Sequence, residues 1–397
     1  MLISLCSSDF LHRLQKSLHT HSFFPYAIDC FFNCRLWKLR SLYTLKMKFT
    51  LVATLMAAAV SAAPAFNVVH PRKTHATKSS SATVPAATGS GSSGNASAGG
   101  SVSGSLTEAC NIGYATQNGG TTGGAAGQQT TVTSLEELKA AAEADGAAII
   151  IIDGAITGSD KVDITSDKTV IGAAGSSLEG VGLRVKKASN VIIRNVKISK
   201  VLADAGDAIT VQASNNVWLD HLDLSSDRDH DKDYYDGLLD VTHGSDYITI
   251  SNSYLHDHWK ASLVGHSDSN ADEDTGHLIV TYANNYFSNI NSRGPSFRFG
   301  TGHIYNHYAE NSSTGVNTRI GAQLLIESAV FSGVEKAIES ADSETVGYAV
   351  VNDVDLGEGT NTVEAGTLKT VPYEYELLGS ANVKASVTST AGQTLSF

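Results

Sequence analysis

Val191-Ile192-Ile193-Arg194-Asn195-Val196-Lys197-Ile198 is followed by Val217-Trp218-Leu219-Asp220-His221-Leu222-Asp223-Leu224 and then by Ile248-Thr249-Ile250-Ser251-Asn252-Ser253-Tyr254-Leu255. Each is a short apolar run interrupted by an amide or imidazole. Val280-Thr281-Tyr282-Ala283-Asn284-Asn285-Tyr286-Phe287 and Gly302-His303-Ile304-Tyr305-Asn306-His307-Tyr308 repeat the pattern. The equivalent polar positions, Asn195, His221, Asn252, Asn284 and Asn306, are 26, 31, 32 and 22 residues apart. A βαβ crossover needs a helical period between its strands, and this stretch has none. The spacing suits one coil of a parallel β-helix, in which the chain returns one layer higher after each repeat. Stacked coils would set the amides one above another, where they can hydrogen-bond along the column. A sandwich of hairpins is the competing reading, but no Asn-Gly or Asp-Gly has strict apolar alternation on both sides. The expected fold is all-β, a single-stranded right-handed parallel β-helix. Ser134, with Glu137 three residues on, opens a helix through Glu143, placed to cap the solenoid before a first strand at Ala148–Asp153.

Outward from the repeats the chain changes character. Residues 108–397 form the expected β-helix domain, with residues 331–397, including Val371-Pro372-Tyr373-Glu374-Tyr375-Glu376-Leu377, as an arm packed along it. Residues 64–107 are a Ser/Thr/Gly-rich propeptide or linker. Met47–Ala63 has a basic head, an apolar middle and small residues at its end, which reads as a secretory signal peptide too short to span a bilayer. Residues 1–46 would bury that signal inside the chain, so a mis-assigned start with translation from Met47 is expected; a membrane-anchoring extension is the alternative. Cys6, Cys30 and Cys34 fall in that extension, leaving Cys110 alone in the mature region and no internal disulfide. The formal charge is −12, and without residues 1–46 it is 22 − 38 = −16. An acidic body argues against nucleic acid or an anionic membrane as partner. A monomer is the default state.

Carboxylates gather in Ser226–Asp240. Most of the early charges alternate in sign and read as a solvated loop, but Asp236 and Asp240 flank an apolar step and could face one hard cation if the chain turns at Gly237. Asp220, near the same loop, is another candidate ligand. His230, His243, His256 and His266 have no zinc-motif spacing and read as ladder or core histidines.

Asp207-Ala-Ile-Thr210, Val217-Trp-Leu-Asp-His221, Tyr235-Asp-Gly-Leu-Leu-Asp240, Gly244–Ser251, His256-Asp-His-Trp-Lys260, Leu263-Val-Gly-His-Ser-Asp268 and Arg293-Gly-Pro-Ser-Phe-Arg-Phe-Gly300 occur in one order. With Gly119–Gly124, this set resembles the ordered motifs of fungal pectate lyases of polysaccharide lyase family 1, over roughly residues 110–330. The resemblance implies secreted, calcium-dependent eliminative cleavage of polygalacturonate in the plant cell wall. It implies Asp207, Asp236 and Asp240 as Ca²⁺ ligands, Arg293 as catalytic base, and Lys260 and Arg298 as binders of substrate carboxylates, with Asp220 and His221 structural.

The chemistry explains these residue types. The proton to be removed lies on C5, beside an anionic carboxylate, and positive charge placed against that carboxylate makes removal feasible. Free arginine stays protonated above pH 12, so a basic role for Arg293 demands a cationic setting and implies an alkaline optimum. The sequence departs from the family where Ser296 replaces a frequent middle arginine and where Trp259 replaces a frequent aspartate, offering an apolar face to a sugar or to the core. A pectin lyase would not need Asp236 and Asp240, and a non-catalytic wall-binding β-helix could lose Arg293 or Lys260. A polygalacturonase-type hydrolase would need a catalytic aspartate cluster near an Arg-Ile-Lys run, which is missing.

Overall fold

Alternation within the repeats determines which way each side chain faces, because successive residues of a strand point to opposite sides. Val191, Val217, Ile248 and Val280 pair in one register row, and Ile193, Leu219, Ile250, Tyr282, Ile304 and Ile326 in another. All ten are buried in a single continuous core. The computed structural model describes residues 102–397, so the expected extension and signal segment, and all of the linker before Val102, lie outside the described residues. Within them the chain is a right-handed parallel β-helix of about 10 turns.

Three parallel sheets make up its sides. The first stacks Ser189–Arg194, Asn215–Asp220, Asp246–Ser251 and Ile279–Ala283, continuing at both ends. The second stacks Lys197–Ser199, Asp223–Ser225, Tyr254–Lys260 and Tyr286–Ser292. The third carries Ile209–Gln212, Leu239–Thr242, Ser262–Val264 and Ser296–Arg298.

The corner between the first and second sheets turns on one left-handed residue per coil. Asn195, His221, Asn252, Asn284 and Asn306 all sit there in the left-handed conformation, with φ of 57°, 51°, 48°, 57° and 50°. Asparagine tolerates this region because its short amide bonds locally, which is why the repeat was visible in the sequence. The corner runs on through Ser328 and Asp353, also left-handed, where no amide marks it. The column of amide-to-amide bonds is only partly present. Asn306 Nδ2 donates to Asn284 Oδ1 at 2.9 Å, but Asn252 donates to Asp220 at 2.8 Å and Asn195 to the Gly172 carbonyl at 2.8 Å. Carboxylates and main-chain carbonyls are stronger or nearer acceptors than the next amide.

The helix forms as Leu135–Glu143, with the Ser134 hydroxyl accepting from the Glu137 amide at 3.3 Å and Leu138 and Ala142 buried in the core. Glu137 reaches back to the Thr133 amide at 2.8 Å, one residue before the cap. Coils continue as far as Glu364–Ala365, so the C-terminal arm begins later than residue 331. It runs back along the asparagine corner: Asn306 exchanges bonds with Leu378 and Glu376, and helix Ser380–Thr390 sets Val383 and Val387 against Tyr308. At its end Asn195 binds both the amide and the carbonyl of Leu395, at 2.9 and 3.1 Å. Asn195→Ala removes those bonds and the residue's tolerance of its left-handed turn, so unfolding in urea should show a loss of about 2–4 kcal/mol. Cys110, the one cysteine among the described residues, is partly buried, and burial pushes its thiol up to about 12.

Candidate active site

Asp240 faces outward because Leu239 and Val241, its neighbours in the third sheet, are wholly buried. Its Oδ1 accepts from the Leu263 amide at 3.0 Å, in the next coil. Asp207 lies in the turn entering the preceding strand and accepts from Thr210 Oγ1 at 2.8 Å and from the Gly237 amide at 2.9 Å. Both carboxylates converge on Gly237: a Cβ there would lie 2.7 Å from Asp240 Oδ1 and 2.8 Å from Asp207 Oδ1. Only glycine fits that position.

This arrangement is electrostatically unbalanced. Burial, and then the Asp207 carboxylate, push Asp240 well above the ordinary carboxylate range, with Arg293 opposing. Burial, and then Asp236, push Asp207 up as well. Like charges in a desolvated site raise each other's proton affinity unless a cation sits between them. Asp236 is held differently, half-exposed, with Oδ1 3.2 Å from Lys260 Nζ. Among the described residues no three His, Cys, Asp or Glu side chains form a ready-made cage. What exists is a buried carboxylate, Asp240, and a half-buried one, Asp207, with only Arg293 opposing them and a third carboxylate beside them, a hard-oxygen donor set that fits a divalent cation such as Ca²⁺.

Arg293 follows strand Tyr286–Ser292 and is itself left-handed, φ 64°, with its carbonyl accepting from the Ser262 amide at 2.8 Å. Its Nη1 is 3.7 Å from Asp240 Oδ2. The expected cationic setting is thus not supplied by the protein alone, because the desolvated carboxylate draws the guanidinium to itself. A bulky residue held at positive φ is strain retained where geometry matters.

Lys260 ends its strand with Nζ between Asp233 and Asp236, 3.2 Å from each. Arg298 is already engaged: Nε is 2.5 Å from Asp268 and Nη1 donates to the Gly265 carbonyl at 2.8 Å. Arg319, opposite Arg298 in the next coil, shares Asp268 at 3.3 Å. Ser296, at the position of the frequent middle arginine, is buried in the same sheet and leaves its hydroxyl without a partner.

Asp220 is remote in kind from this group. It is fully buried at the first corner and accepts from Arg194, His221, Ser251 and Asn252, which hold it low although burial alone would raise it. Trp259 is neither bare nor in the core: Nε1 donates to the His230 carbonyl at 2.9 Å and Arg228 lies over its ring, so it pins the 226–236 loop. Of the four histidines considered from sequence, only His243 and His266 meet, stacked at 4.2 Å.

Sequence reasoning missed His258. It is buried, its Nε2 donates to the Asp236 carbonyl at 2.5 Å, and its Nδ1 bonds the Ser226 hydroxyl. Burial, with Lys260 and Arg293 adding to it, lowers it to about 4, so it is a neutral strut under the Asp236 turn. Asp233 and Asp268, partners of Lys260 and Arg298, were missed too; they lie in loops whose pairing has no sequence period.

A profile of the pectate lyase family matches residues 95–396. Pectate lyase A of Aspergillus niger is 64% identical over 287 residues, covering 72% of this chain and 88% of that protein. Pectate lyase B of Colletotrichum gloeosporioides is 60% identical over 295 residues, covering 74% and 88%. Among solved structures, a pectate lyase from a Bacillus species in complex with trigalacturonate superposes with a TM-score of 0.66 at 30% identity, over 72% of this chain and 99% of that one. Agreement of this extent, in sequence and in the coiling of the backbone, establishes that the chain belongs to the pectate lyase family and is a polysaccharide lyase.

Proposed function

We propose that the protein cleaves (1→4)-α-D-galacturonan by calcium-dependent β-elimination. The observation that carries this reading is the convergence of the half-buried Asp207 and the buried Asp240 carboxylates at Gly237 with Arg293 beside them. Asp207, Asp240 and Asp236 would hold Ca²⁺, which supplies positive charge against the uronate carboxylate next to C5. Lys260 and Arg298 bind substrate carboxylates, Arg298 by exchanging Asp268 for the uronate. Arg293 takes the C5 proton. The C5–H electrons form the C4–C5 double bond, the C4–O4 bond breaks, and O4 leaves with a proton from solvent. The product carries a 4,5-unsaturated galacturonosyl group at its new non-reducing end, and no water is consumed.

The same reading takes residues 47–63 as an export signal and places the enzyme outside the cell, as a monomer degrading plant cell-wall pectin. The test is ultraviolet absorbance of unsaturated uronide. Signal on polygalacturonate should vanish with a chelator, return with added Ca²⁺, and be greatest at alkaline pH; a maximum below about pH 6 would remove Arg293 from the role of base. Signal that survives chelation and is stronger on methylated pectin would indicate a pectin lyase. No signal on either polymer would indicate a wall-binding protein.

A further inference from the structure

Lys260, Arg293, Arg298 and Arg319 all come from Asp240's own coil junction or from later coils. The opposite flank of the aspartates, toward the N-terminal coils, has a groove of about 370 Å³ lined by Ser159, Asp160, Lys161, Arg184, Asp204 and Ala205. Its charges are mostly spoken for. Asp160 is bonded to Lys139, and Asp163 takes a bidentate pair from Arg184 at 2.5 and 2.7 Å.

Two lining charges have no ion-pair partner among the described residues: the exposed carboxylate of Asp204, and Lys161. Lys161 faces outward between the buried Val162 and its own coil's bulge, in register with Gly182. Its main-chain amide donates to Asp160 Oδ1, and among the described residues its ammonium donates no hydrogen bond. Among the described residues no carboxylate lies within 4 Å of its ammonium. The side chain instead extends across to the next turn, where a Cβ on Gly206 would come within 2.3 Å of Nζ. Gly206 immediately precedes Asp207. Gly206 is required by its own left-handed turn, φ 83°, and Lys161 Nζ lies over that turn as a half-buried ammonium with no carboxylate partner. A cation left without a partner in a largely acidic body has a desolvation cost that an incoming anion would relieve.

Resting on the pectate reading above, we infer that Lys161 is a second carboxylate-binding group for the uronate polymer, gripping a unit remote from the cleaved bond and giving the enzyme a preference for longer chains. From the Gly206 turn to Arg298 is three strand spacings, roughly 14 Å at about 4.8 Å each, so only a chain that spans the aspartates can engage both flanks. Interactions with a remote unit change KM with chain length, whereas interactions at the reacting centre change all substrates alike.

The experiment compares Lys161→Gln and Lys161→Arg with the unmodified protein at saturating Ca²⁺, on galacturonate hexamer and trimer. For Lys161→Gln the hexamer KM should rise about fivefold with little change in kcat, the trimer KM should move less than about twofold, and Lys161→Arg should restore most of the loss. Calorimetric titration of hexamer into the Arg293→Lys protein, with and without Lys161→Gln, should show the same weakening independently of turnover. Equal losses on both oligomers, a change confined to the Ca²⁺ needed for half-maximal rate, or no change would each overturn the inference. If the unmodified protein forms no unsaturated product, the elimination reading fails on its own, and the calorimetry still reports on Lys161.

Discussion

Arg293→Lys is expected to lower kcat on polygalacturonate by about 10³-fold while leaving KM within about threefold, since a positioned base contributes about 10²–10⁴ in rate. The substitution keeps a positive charge beside Asp240, 3.7 Å from the present guanidinium, so the carboxylate cluster is not left more repulsive than before. It also keeps the main-chain bond from the Ser262 amide. What changes is the nitrogen at the end of the side chain, its reach and its planar shape. Thermal melting should therefore shift by no more than about 2 °C, a small fraction of the effect on rate. A variant that keeps a tenth of the activity would place the base elsewhere, and one that loses KM alone would make Arg293 a substrate contact.

Asp240→Asn should have two opposite effects. Activity at any Ca²⁺ concentration falls by at least about 10²-fold, because the buried member of the converging carboxylate pair loses its charge. The metal-free protein, by contrast, becomes more stable at pH 8, by about 1–3 kcal/mol. The sign follows from linkage. Burial and Asp207 raise Asp240 above its unfolded value of about 3.9, so the folded protein holds this proton more tightly and metal-free stability falls as pH rises through the folded value. Asparagine keeps an oxygen for the Leu263 amide but carries no charge to desolvate. Many other carboxylates, Asp220 and Asp223 among them, are held low and act in the opposite sense, so the measurement is the difference between variant and unmodified protein at pH 5 and pH 8, both with chelator. If the variant gains nothing at pH 8, the cluster is not the unbalanced site described here. With Ca²⁺ restored, the unmodified protein should regain stability and the variant should not.

What could be read from sequence follows the physics of the coil. Asn195, Asn252, Asn284 and Asn306 stood out because a left-handed corner admits few residue types and recurs once per turn. Asp236 and Asp240 stood out because they flank an apolar step around Gly237, but the pair that converges on that glycine is Asp207 and Asp240, while Asp236 turns to Lys260. Ser328 and Asp353 occupy the same corner without announcing it. The engagement of Arg298 by Asp268, the bridge from Lys260 to Asp233, and the buried strut at His258 depend on which loops lie side by side between coils. Nothing in linear order states that adjacency. The arm was recognisable at Val371–Leu377, but its return to Asn195 joins residues 200 apart.

The constant corner also shows where one coil differs from the next. The shortest interval between corner residues is 22, from Asn284 to Asn306 and again to Ser328, and the earlier intervals of 26, 31 and 32 exceed it by 4, 9 and 10. Those surplus residues fall in the turns around 200–208, 226–238 and 265–278, which carry Asp207, then Asp233 and Asp236, then Asp268. Variation in coil length is thereby concentrated in the stretches that carry site carboxylates, while the opposite edge repeats one conformation and keeps the layers in step.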